Sequence, residues 1–292
     1  MLQDLLDQYQ VTVSYVDITQ LDQIRSAITD TTRLIFSEAI GNPKLDVVDI
    51  KAVSAIAGEF GIPFAVDSTL TTPYLLPAKS LGIDIVIHSL TKFIAGAGTT
   101  VGGVIIDTGR FNWRKTQAPT VLKLTKEFGR FAFIAKLRKQ IVINVGSCLS
   151  PMNAFLGLLG LETLALRMDR HCANAQALAQ YLDRQEMIDH VSYPGLQNSS
   201  YYELANHQFG GRFGSLVTIR CGSKEKSFAL LNALKLVKNM TNLGDSKTLA
   251  IHPASTIYRN CSVDEQVSAG VFDDLLRLSV GLENIEDLIQ DF

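Results

Sequence analysis

Short apolar runs alternate with amphipathic stretches along the first third of the chain. Apolar residues cluster in 32–39, 62–69 and 84–90, which predicts buried β-strands. In 46–60 they recur at three- and four-residue steps, which predicts a helix that ends before Pro63. Strands that alternate with helices are typical of a parallel sheet with right-handed crossovers, in which ligands bind beyond the carboxyl ends of the strands. The pattern therefore predicts an α/β fold.

The remaining segments extend this pattern into a second part of the chain. Further strands are predicted at 11–17, 101–107, 215–221 and 275–281, helices at 21–28, 224–236 and in the C-terminal tail, a helix or bent helix pair at 151–184, and a loop at 242–247. We place a domain boundary inside the long helix, near Leu164. The expected organisation is a large domain of residues 1–164 with a mostly parallel sheet and a smaller α+β domain of residues 165–292.

Composition narrows the class of protein. The 292 residues are 47% hydrophobic and 19% charged, which supports a packed core and excludes global disorder. The net charge of −2 and the lack of a basic run argue against a nucleic-acid partner. The most apolar stretch, 141–166, is interrupted by polar residues, so we expect no membrane span. Four scattered cysteines and an acidic N-terminus favour a cytoplasmic location. His171 and Cys172 are adjacent rather than ligand-spaced, so no metal site is predicted.

An acid and an amine are predicted at the same edge of the sheet. Asp67 ends one strand, and Lys92 follows another. This pair suits pyridoxal phosphate, which needs a lysine for its aldehyde and an acid to keep its ring nitrogen protonated. The alternative is structural, with an Asp that caps a helix and a loop lysine. Hydroxyls at Ser89 and Thr91 and a glycine-rich stretch at 96–103 favour the cofactor, and that stretch lacks the Walker pattern.

The segment around Lys92, VDSTLTTPYLLPAKSLGIDIVIHSLTKFIAGAGTTVGGVIID (66–107), closely resembles the lysine region of the Cys/Met-metabolism family of pyridoxal-phosphate enzymes. Further matching segments follow in family order along the whole chain. They are SEAIGNPKLDVVDI (37–50), LSPMNAFLGLLGLETLALRMDRHCANA (149–175), NLGDSKTLAIHPAST (242–256) and LLRLSVGLENIEDL (275–288). The resemblance implies the fold-type I transferase architecture of that family.

The resemblance also implies roles for individual residues. Lys92 corresponds to the lysine that binds the cofactor aldehyde, and Asp67 to the partner of the ring nitrogen. Arg277 corresponds to the arginine that binds the substrate carboxylate, a role suited to a planar guanidinium. The other implied contacts are Ser89 and Thr91 with the cofactor phosphate, Thr69 with the ring, Asn42 with the phenolic oxygen and the substrate, and Asn242 with the substrate.

Several other polar and aromatic residues are interpreted as structural. His88 precedes the lysine motif and is predicted to pack or hydrogen-bond locally. His252 is likewise assigned a structural role rather than that of a base. Trp113 is expected in local packing, and Tyr201–Tyr202 on a surface helix or loop.

One long insertion points to a branch of the family. Residues 108–140 resemble the longer loop of O-acetylhomoserine sulfhydrylases, and Asn242 stands where the lyases often carry Ser. This implies a γ-replacement on O-acetyl-L-homoserine with sulfide that yields homocysteine and acetate, carried out by a homo-oligomer (a dimer or tetramer). The acyl group and the choice between sulfide and a thiol stay open, as does a cystathionine γ-synthase or lyase activity.

The match begins part-way into the family pattern. Family members carry a further N-terminal region with a glycine-containing phosphate loop, an aromatic residue that stacks on the ring, and a Tyr/Arg pair lent to the neighbouring subunit. We therefore expect an N-terminally truncated member. The alternatives are an inactive remnant, one half of a split enzyme, or an oligomerisation subunit that docks on an intact homologue.

Overall fold

The first sheet carries the candidate site on the ends of its strands. The computed structural model describes residues 6–292. Strand order in this sheet is β1-β2-β3-β4, which are Ile35–Glu38, Phe64–Asp67, Ile85–Ser89 and Gly103–Asp107. The first three strands pair in parallel, as predicted, and Glu38 lies opposite Asp67. The carboxyl ends of these three strands therefore meet at one edge of the sheet.

Helices cover the crossovers between these strands. They are α2 (Ile50–Glu59), α3 (Thr72–Leu75) and α4 (Ala78–Leu81), and α1 (Leu21–Ala27) precedes β1. The predicted helix over 46–60 is confirmed as α2, which begins where the Asp49 side chain accepts a hydrogen bond from the Ala52 N–H at 3.0 Å. Its apolar positions Val53 and Ile56 are buried, so this face packs against the sheet as the spacing predicts.

Two predictions for the first part of the chain differ from the structure. Residues 11–17 form no strand, and Val11 and Tyr15 are 45% and 75% exposed. An apolar run forms a strand only where a neighbour offers backbone partners. The second difference is that β4 pairs antiparallel with β3, because the chain reverses without a crossover helix.

The insertion and the long helical segment follow β4. The insertion folds into short helices, α5 (Pro119–Leu122), α6 (Thr125–Phe128), α7 (Ala132–Lys136) and α8 (Ile143–Val145), with tight turns at Trp113–Lys115 and Gly129–Phe131 and a wide turn at Leu137–Val142. The segment predicted over 151–184 is a bent pair, α9 (Pro151–Glu162) and α10 (Leu164–Leu182). The bend is at Thr163, whose backbone (φ −108°, ψ 4°) leaves the helical region.

The second sheet is smaller and mainly antiparallel. Strand order is β5-β6-β9-β8-β7, which are His190–Ser192, Leu216–Arg220, Leu275–Ser279, Leu249–Ile251 and Lys238–Asn239. Its helices and turn are α11 (Tyr202–Phe209), α12 (Lys224–Ala233), Pro253–Ser255, α13 (Val263–Ser268) and α14 (Ile285–Asp291). The sequence pattern predicts β6, β9, α12 and α14 and misses the three short strands, which are too brief to carry a periodicity.

A single hydrophobic core joins the two sheets. Phe64 and Val66 of β2 belong to the same buried cluster as Leu276 and Leu278 of β9. Because this core continues from one sheet to the other, residues of β9 reach the carboxyl edge of the first sheet. Within residues 6–292 no helix is long and apolar enough to cross a bilayer. In the same range no group of three His, Cys, Asp or Glu side chains could hold a metal ion.

Candidate active site

A cavity of about 190 Å³ lies at the carboxyl edge of the first sheet. The last residues of β1, β2 and β3, which are Glu38, Asp67 and Ser89, all line it. The remaining lining residues are Ile40, Asn42, Thr69, Leu70, Lys92 and Leu243. Strand ends of a parallel sheet place their following side chains together, which is why residues far apart in sequence share one cavity.

Lys92 enters this cavity from a turn after β3, which we call the lysine turn (Leu90–Ile94). Its backbone (φ −92°, ψ −127°) departs from helical geometry within the turn. The amine donates a hydrogen bond to the Asn242 Oδ1 at 2.6 Å. Burial lowers the pKa of the Lys92 amine, and the positive charge of Arg277 lowers it further. A lowered pKa enriches the neutral amine, which is the form that acts as nucleophile or base.

Arg277 is a buried arginine whose hydrogen-bond partners within residues 6–292 include no carboxylate. Its Nη1 donates to the Asn42 Oδ1 at 3.1 Å, and its Nη2 donates to the Asn242 carbonyl oxygen at 2.8 Å. Its Nε is buried and has no hydrogen-bond partner within residues 6–292. Burial lowers the pKa of Arg277 to about 10. A buried guanidinium with an unused donor is suited to bind an anionic group, such as a carboxylate.

Asn42 connects the two sides of the cavity. Its backbone N–H donates to the Glu38 Oε2 at 3.0 Å, while its side chain accepts from Arg277. Tyr258, from the second part of the chain, donates its hydroxyl to the Asn42 carbonyl at 3.4 Å. Glu38, Asn42, Arg277 and Asn242 thus form a continuous path of hydrogen bonds that ends at the Lys92 amine.

Asp67 and Thr69 form a compact pair at the end of β2. The Thr69 N–H donates to the Asp67 Oδ1 at 2.8 Å, and the Thr69 Oγ1 accepts from the Ser89 N–H at 2.8 Å. These two bonds fix the ends of β2 and β3 relative to each other. The Asp67 carboxylate, held by this bond from Thr69, lines the cavity.

Three sequence-predicted residues, Arg277, Asn242 and Thr91, do not line the cavity. Arg277 and Asn242 bond to residues that do, whereas Thr91 does not. The Thr91 hydroxyl donates to the Gly102 carbonyl at 3.3 Å and accepts from the Gly102 N–H at 3.1 Å. This reciprocal pair closes the glycine-rich loop. The assignment of Thr91 to a phosphate contact stays a prediction, as does that of Ser89, which lines the cavity.

The residues interpreted as structural occupy structural positions. His88 is buried, and its Nδ1 bonds to the Ser68 carbonyl at 3.1 Å. His252 is buried, with its Nε2 bonded to the Asp273 carbonyl at 2.7 Å. Trp113 stacks on an aromatic ring of the insertion at 4.6 Å and donates its indole N–H to a carboxylate.

Three residues near the site were not found from the sequence. Glu38 was read only as part of a motif, although the alternation of β1 could have placed it beside Asp67. Tyr258 and Arg167 lie far from the motif residues in sequence and reach the site by tertiary contact. Burial among protein atoms and the charge of Asp67 raise the pKa of Glu38 to about 7, although its side chain is open to water on the cavity side.

The donors around the cavity fit pyridoxal phosphate. The cavity offers an amine of lowered pKa, a carboxylate at a strand end and hydroxyls at Thr69 and Ser89, and beside it lies the buried guanidinium of Arg277 with its unpartnered Nε. These groups match the aldehyde, the pyridine nitrogen, the phosphate and a substrate carboxylate in chemical type.

Comparison with known proteins gives concordant results. The chain is 42% identical to the O-acetyl-L-homoserine sulfhydrylase of Leptospira meyeri over 300 residues, which cover 96% of this chain and 68% of that protein. The structure of an O-acetylhomoserine sulfhydrylase from Wolinella succinogenes matches with a TM-score of 0.88 and 42% identity, covering 99% of this chain and 78% of that one.

A second structure and a family model agree with these matches. A putative O-acetylhomoserine (thiol)-lyase from Campylobacter jejuni, which carries a pyridoxyl-lysine phosphate, matches with a TM-score of 0.92 and 32% identity over 98% of this chain and 71% of that one. The family model described as "Cys/Met metabolism PLP-dependent enzyme" matches residues 1–292. With its α/β fold and its lysine–aspartate–arginine site, the chain belongs to the Cys/Met-metabolism family of pyridoxal-phosphate-dependent enzymes.

Proposed function

We propose that this protein catalyses γ-replacement on O-acetyl-L-homoserine. In this reaction the bond between the γ carbon and the ester oxygen breaks, a C–S bond to sulfide forms, and the products are homocysteine and acetate. The family membership and the sulfhydrylase relatives support this assignment. We assign Lys92, Asp67, Thr69, Ser89, Thr91 and Asn42 to cofactor binding, and Arg277, Asn42 and Asn242 to substrate binding.

The observation that carries the proposal is the connection between Lys92 and Arg277. Asn242 contacts both, through its side-chain oxygen to the amine and its carbonyl to the guanidinium. An amino-acid substrate presents its carboxylate and its α carbon one bond apart. A site that processes it therefore needs an anion-binding group and a base close together. The shared Asn242 holds the two groups in this relation.

Each residue of the site has a chemical task in this reaction. Pyridoxal phosphate, when bound, supplies a protonated pyridine ring that withdraws electrons from the substrate carbon next to the amine. The Asp67 carboxylate stabilises the proton on the ring nitrogen. Arg277 binds the substrate carboxylate, and Asn42 orients that guanidinium. The Lys92 amine, whose pKa is lowered by burial and by the charge of Arg277, takes a proton from the substrate carbon as a general base.

The test is to titrate the purified protein with pyridoxal phosphate and then assay homocysteine from O-acetylhomoserine and sulfide. We expect the wild type to develop the visible absorbance of the lysine-bound cofactor, and Lys92→Ala to lack both this absorbance and the activity. Lys79→Ala, which changes a lysine of α4, is the matched control and should behave as the wild type. Equal absorbance in wild type and Lys92→Ala would exclude Lys92 as the cofactor lysine.

The same assay separates the alternative functions. Release of a keto acid and ammonia without sulfide would indicate a lyase, and turnover with cysteine in place of sulfide would indicate a cystathionine γ-synthase. No cofactor binding by the wild type would favour an inactive remnant or a half that needs a second polypeptide.

Three further features are part of the proposal. We propose a homo-oligomer, supported by the apolar side chains that α9 exposes, which include Phe155 and Leu158 at 54% and 62% exposure. We propose a cytoplasmic location, because the substrates are small metabolites and the four cysteines are unpaired thiols. The division into domains 1–164 and 165–292 is also proposed, supported by the helix break at Thr163.

A further inference from the structure

Arg167 on α10 binds the backbone of the lysine turn and does not line the cavity. Its Nη1 donates to the Phe93 carbonyl at 2.5 Å, and its Nη2 donates to the Ile94 carbonyl at 3.0 Å. The same Nη2 donates to the Gly160 carbonyl at 2.6 Å, and its Nε donates to the Thr163 Oγ1 at 3.1 Å. One guanidinium therefore ties the two residues after Lys92 to the junction of α9 and α10.

The lysine turn needs an external donor at this point. Because the Lys92 backbone departs from helical geometry, the peptide that follows it is rotated out of a regular helix. Carbonyls at the end of a helical turn have no N–H partner within the turn and require another donor. A positive charge at that end also interacts favourably with the turn dipole. Arg167 supplies both the donors and the charge.

The guanidinium of Arg167 binds uncharged backbone and hydroxyl groups and forms no ion pair within residues 6–292. Burial lowers the pKa of its guanidinium, and no carboxylate within residues 6–292 raises it. Its hydrogen-bond partners are three backbone carbonyls and one hydroxyl. Burying an arginine without a carboxylate partner costs free energy of folding. The planar guanidinium of Arg167 offsets this cost by fixing several backbone carbonyls in one geometry.

Two glycines leave the space that this arrangement requires. Gly96 has φ +76°, and a Cβ added there would overlap the Arg167 guanidinium. A Cβ added at Gly160 would overlap the Ile94 carbonyl. The His171 ring, one turn further along α10 than Arg167, also contacts the lysine turn, with its centroid 5.3 Å from that of Phe93 in an edge-on contact. The turn is thus held between fixed neighbours.

We propose that Arg167 is a positioning residue for Lys92, because it holds the lysine turn in the conformation from which the amine reaches Asn242 and the cavity. It acts through the backbone and does not touch the cofactor or the substrate. This inference rests on the proposed function only in the task that it gives to Lys92.

The reactivity of the Lys92 amine tests the inference without cofactor or turnover. Labelling of Lys92 by an amine-reactive reagent is followed as a function of pH by mass spectrometry. In Arg167→Ala we expect the midpoint of the labelling profile to move to higher pH, because the released turn exposes the amine to water and separates it from Arg277. Arg167→Lys, which restores some of the donors, should lie between Arg167→Ala and the wild type.

Arg170→Ala is the matched control. Arg170 lies on the same helix and makes one hydrogen bond, at 3.1 Å, to the Glu283 carbonyl. Its removal should leave the Lys92 profile unchanged. Arg167→Ala should bind pyridoxal phosphate roughly tenfold more weakly if the released turn holds Lys92 in the binding conformation about one tenth of the time. The KM for the carboxylate substrate should change less than kcat, because Arg277 is untouched.

Unchanged labelling profiles in the Arg167 variants would overturn the inference, whatever their stability. If Arg167→Ala fails to fold, Gly160→Ala replaces it, since the added methyl pushes on the Ile94 carbonyl while Arg167 is retained. The same upward shift is expected there, and an unshifted profile would count against the proposal. A wild type that binds no cofactor would instead contradict the proposed function, and the labelling result would still decide the role of Arg167.

Discussion

At the scale of single residues, amide side chains organise the site. Asn242 and Asn42 each contact Arg277, and Asn242 also contacts Lys92. The amide oxygen of Asn42 accepts from Arg277 and that of Asn242 accepts from Lys92, so each uncharged amide orients one cation without neutralising it. Arg277 consequently keeps its charge for an incoming anion, and Lys92 keeps a lowered pKa.

Glu38 gives a pH dependence that can be measured on the folded chain. Its folded-state pKa is raised from 4.5 to about 7, so the folded state retains a proton that the unfolded state has lost between these pH values. The stability of the wild type should therefore fall, relative to Glu38→Gln, as the pH rises from 4.5 to 7. Denaturant unfolding at several pH values measures this difference.

The glutamine variant is chosen because its amide oxygen still accepts from the Asn42 N–H. The loss of ionisation is then isolated from the loss of the hydrogen bond. A constant stability difference between the two proteins across this pH range would contradict the raised pKa of Glu38.

At the scale of elements, the site depends on where strands and turns end. β1, β2 and β3 deliver Glu38, Asp67 and Ser89 to one edge, and the lysine turn follows β3 directly. The loop that carries Asn242 packs against this turn through Gly244. Gly244 has φ +73°, and a Cβ added there would lie 2.7 Å from the Phe93 nitrogen.

Gly244→Ala should therefore destabilise the protein for two reasons. The positive φ disfavours alanine by about 1 kcal/mol, and the clash with the lysine turn adds about 1–3 kcal/mol of overpacking. Urea unfolding measures the sum. Gly210→Ala is the matched control, because Gly210 has φ +64° and nothing lies within 4 Å of its added Cβ. Equal losses in the two variants would show that the clash is relieved without cost.

At the scale of the whole molecule, the exposed apolar surface is the main feature still without a partner in the structure. Met152, Phe155, Leu158 and Leu159 lie on α9 at helical spacing and are 64%, 54%, 62% and 46% exposed. Exposed apolar side chains at this spacing form one continuous stripe along a helix. In the proposed homo-oligomer a second copy of the chain covers this stripe.

Leu158→Lys should shift the protein from the oligomer to the monomer of 32.0 kDa, because it places a charge in the buried interface. Analytical ultracentrifugation at several concentrations measures the shift. Met187→Lys changes an equally exposed apolar residue in the loop between α10 and β5, at 57% exposure, and should leave the mass unchanged. A wild type that sediments as a monomer at all concentrations would refute the proposed assembly.

The sequence alone determined the α/β class, the parallel strands β1–β3 and the helical segment over 151–184, and it identified most of the polar residues that line the cavity, while the bend at Thr163 came from the structure. Periodicity and motif spacing report local burial and strand ends, and these suffice where an element is long or a motif is contiguous. The strand predicted at 11–17 is wrong because a strand also needs a neighbouring strand to pair with, and the fold, not the local pattern, determines whether one is present.

Tertiary structure decided what the motif residues contact. Only the packing of the two sheets into one core brings Arg277 and Asn242 to Lys92, and only tertiary packing places Arg167 against the lysine turn. The contacts of the site join segments up to 235 residues apart, as between Asn42 and Arg277. No local pattern encodes them, because each side chain is directed by the backbone of an element elsewhere in the chain.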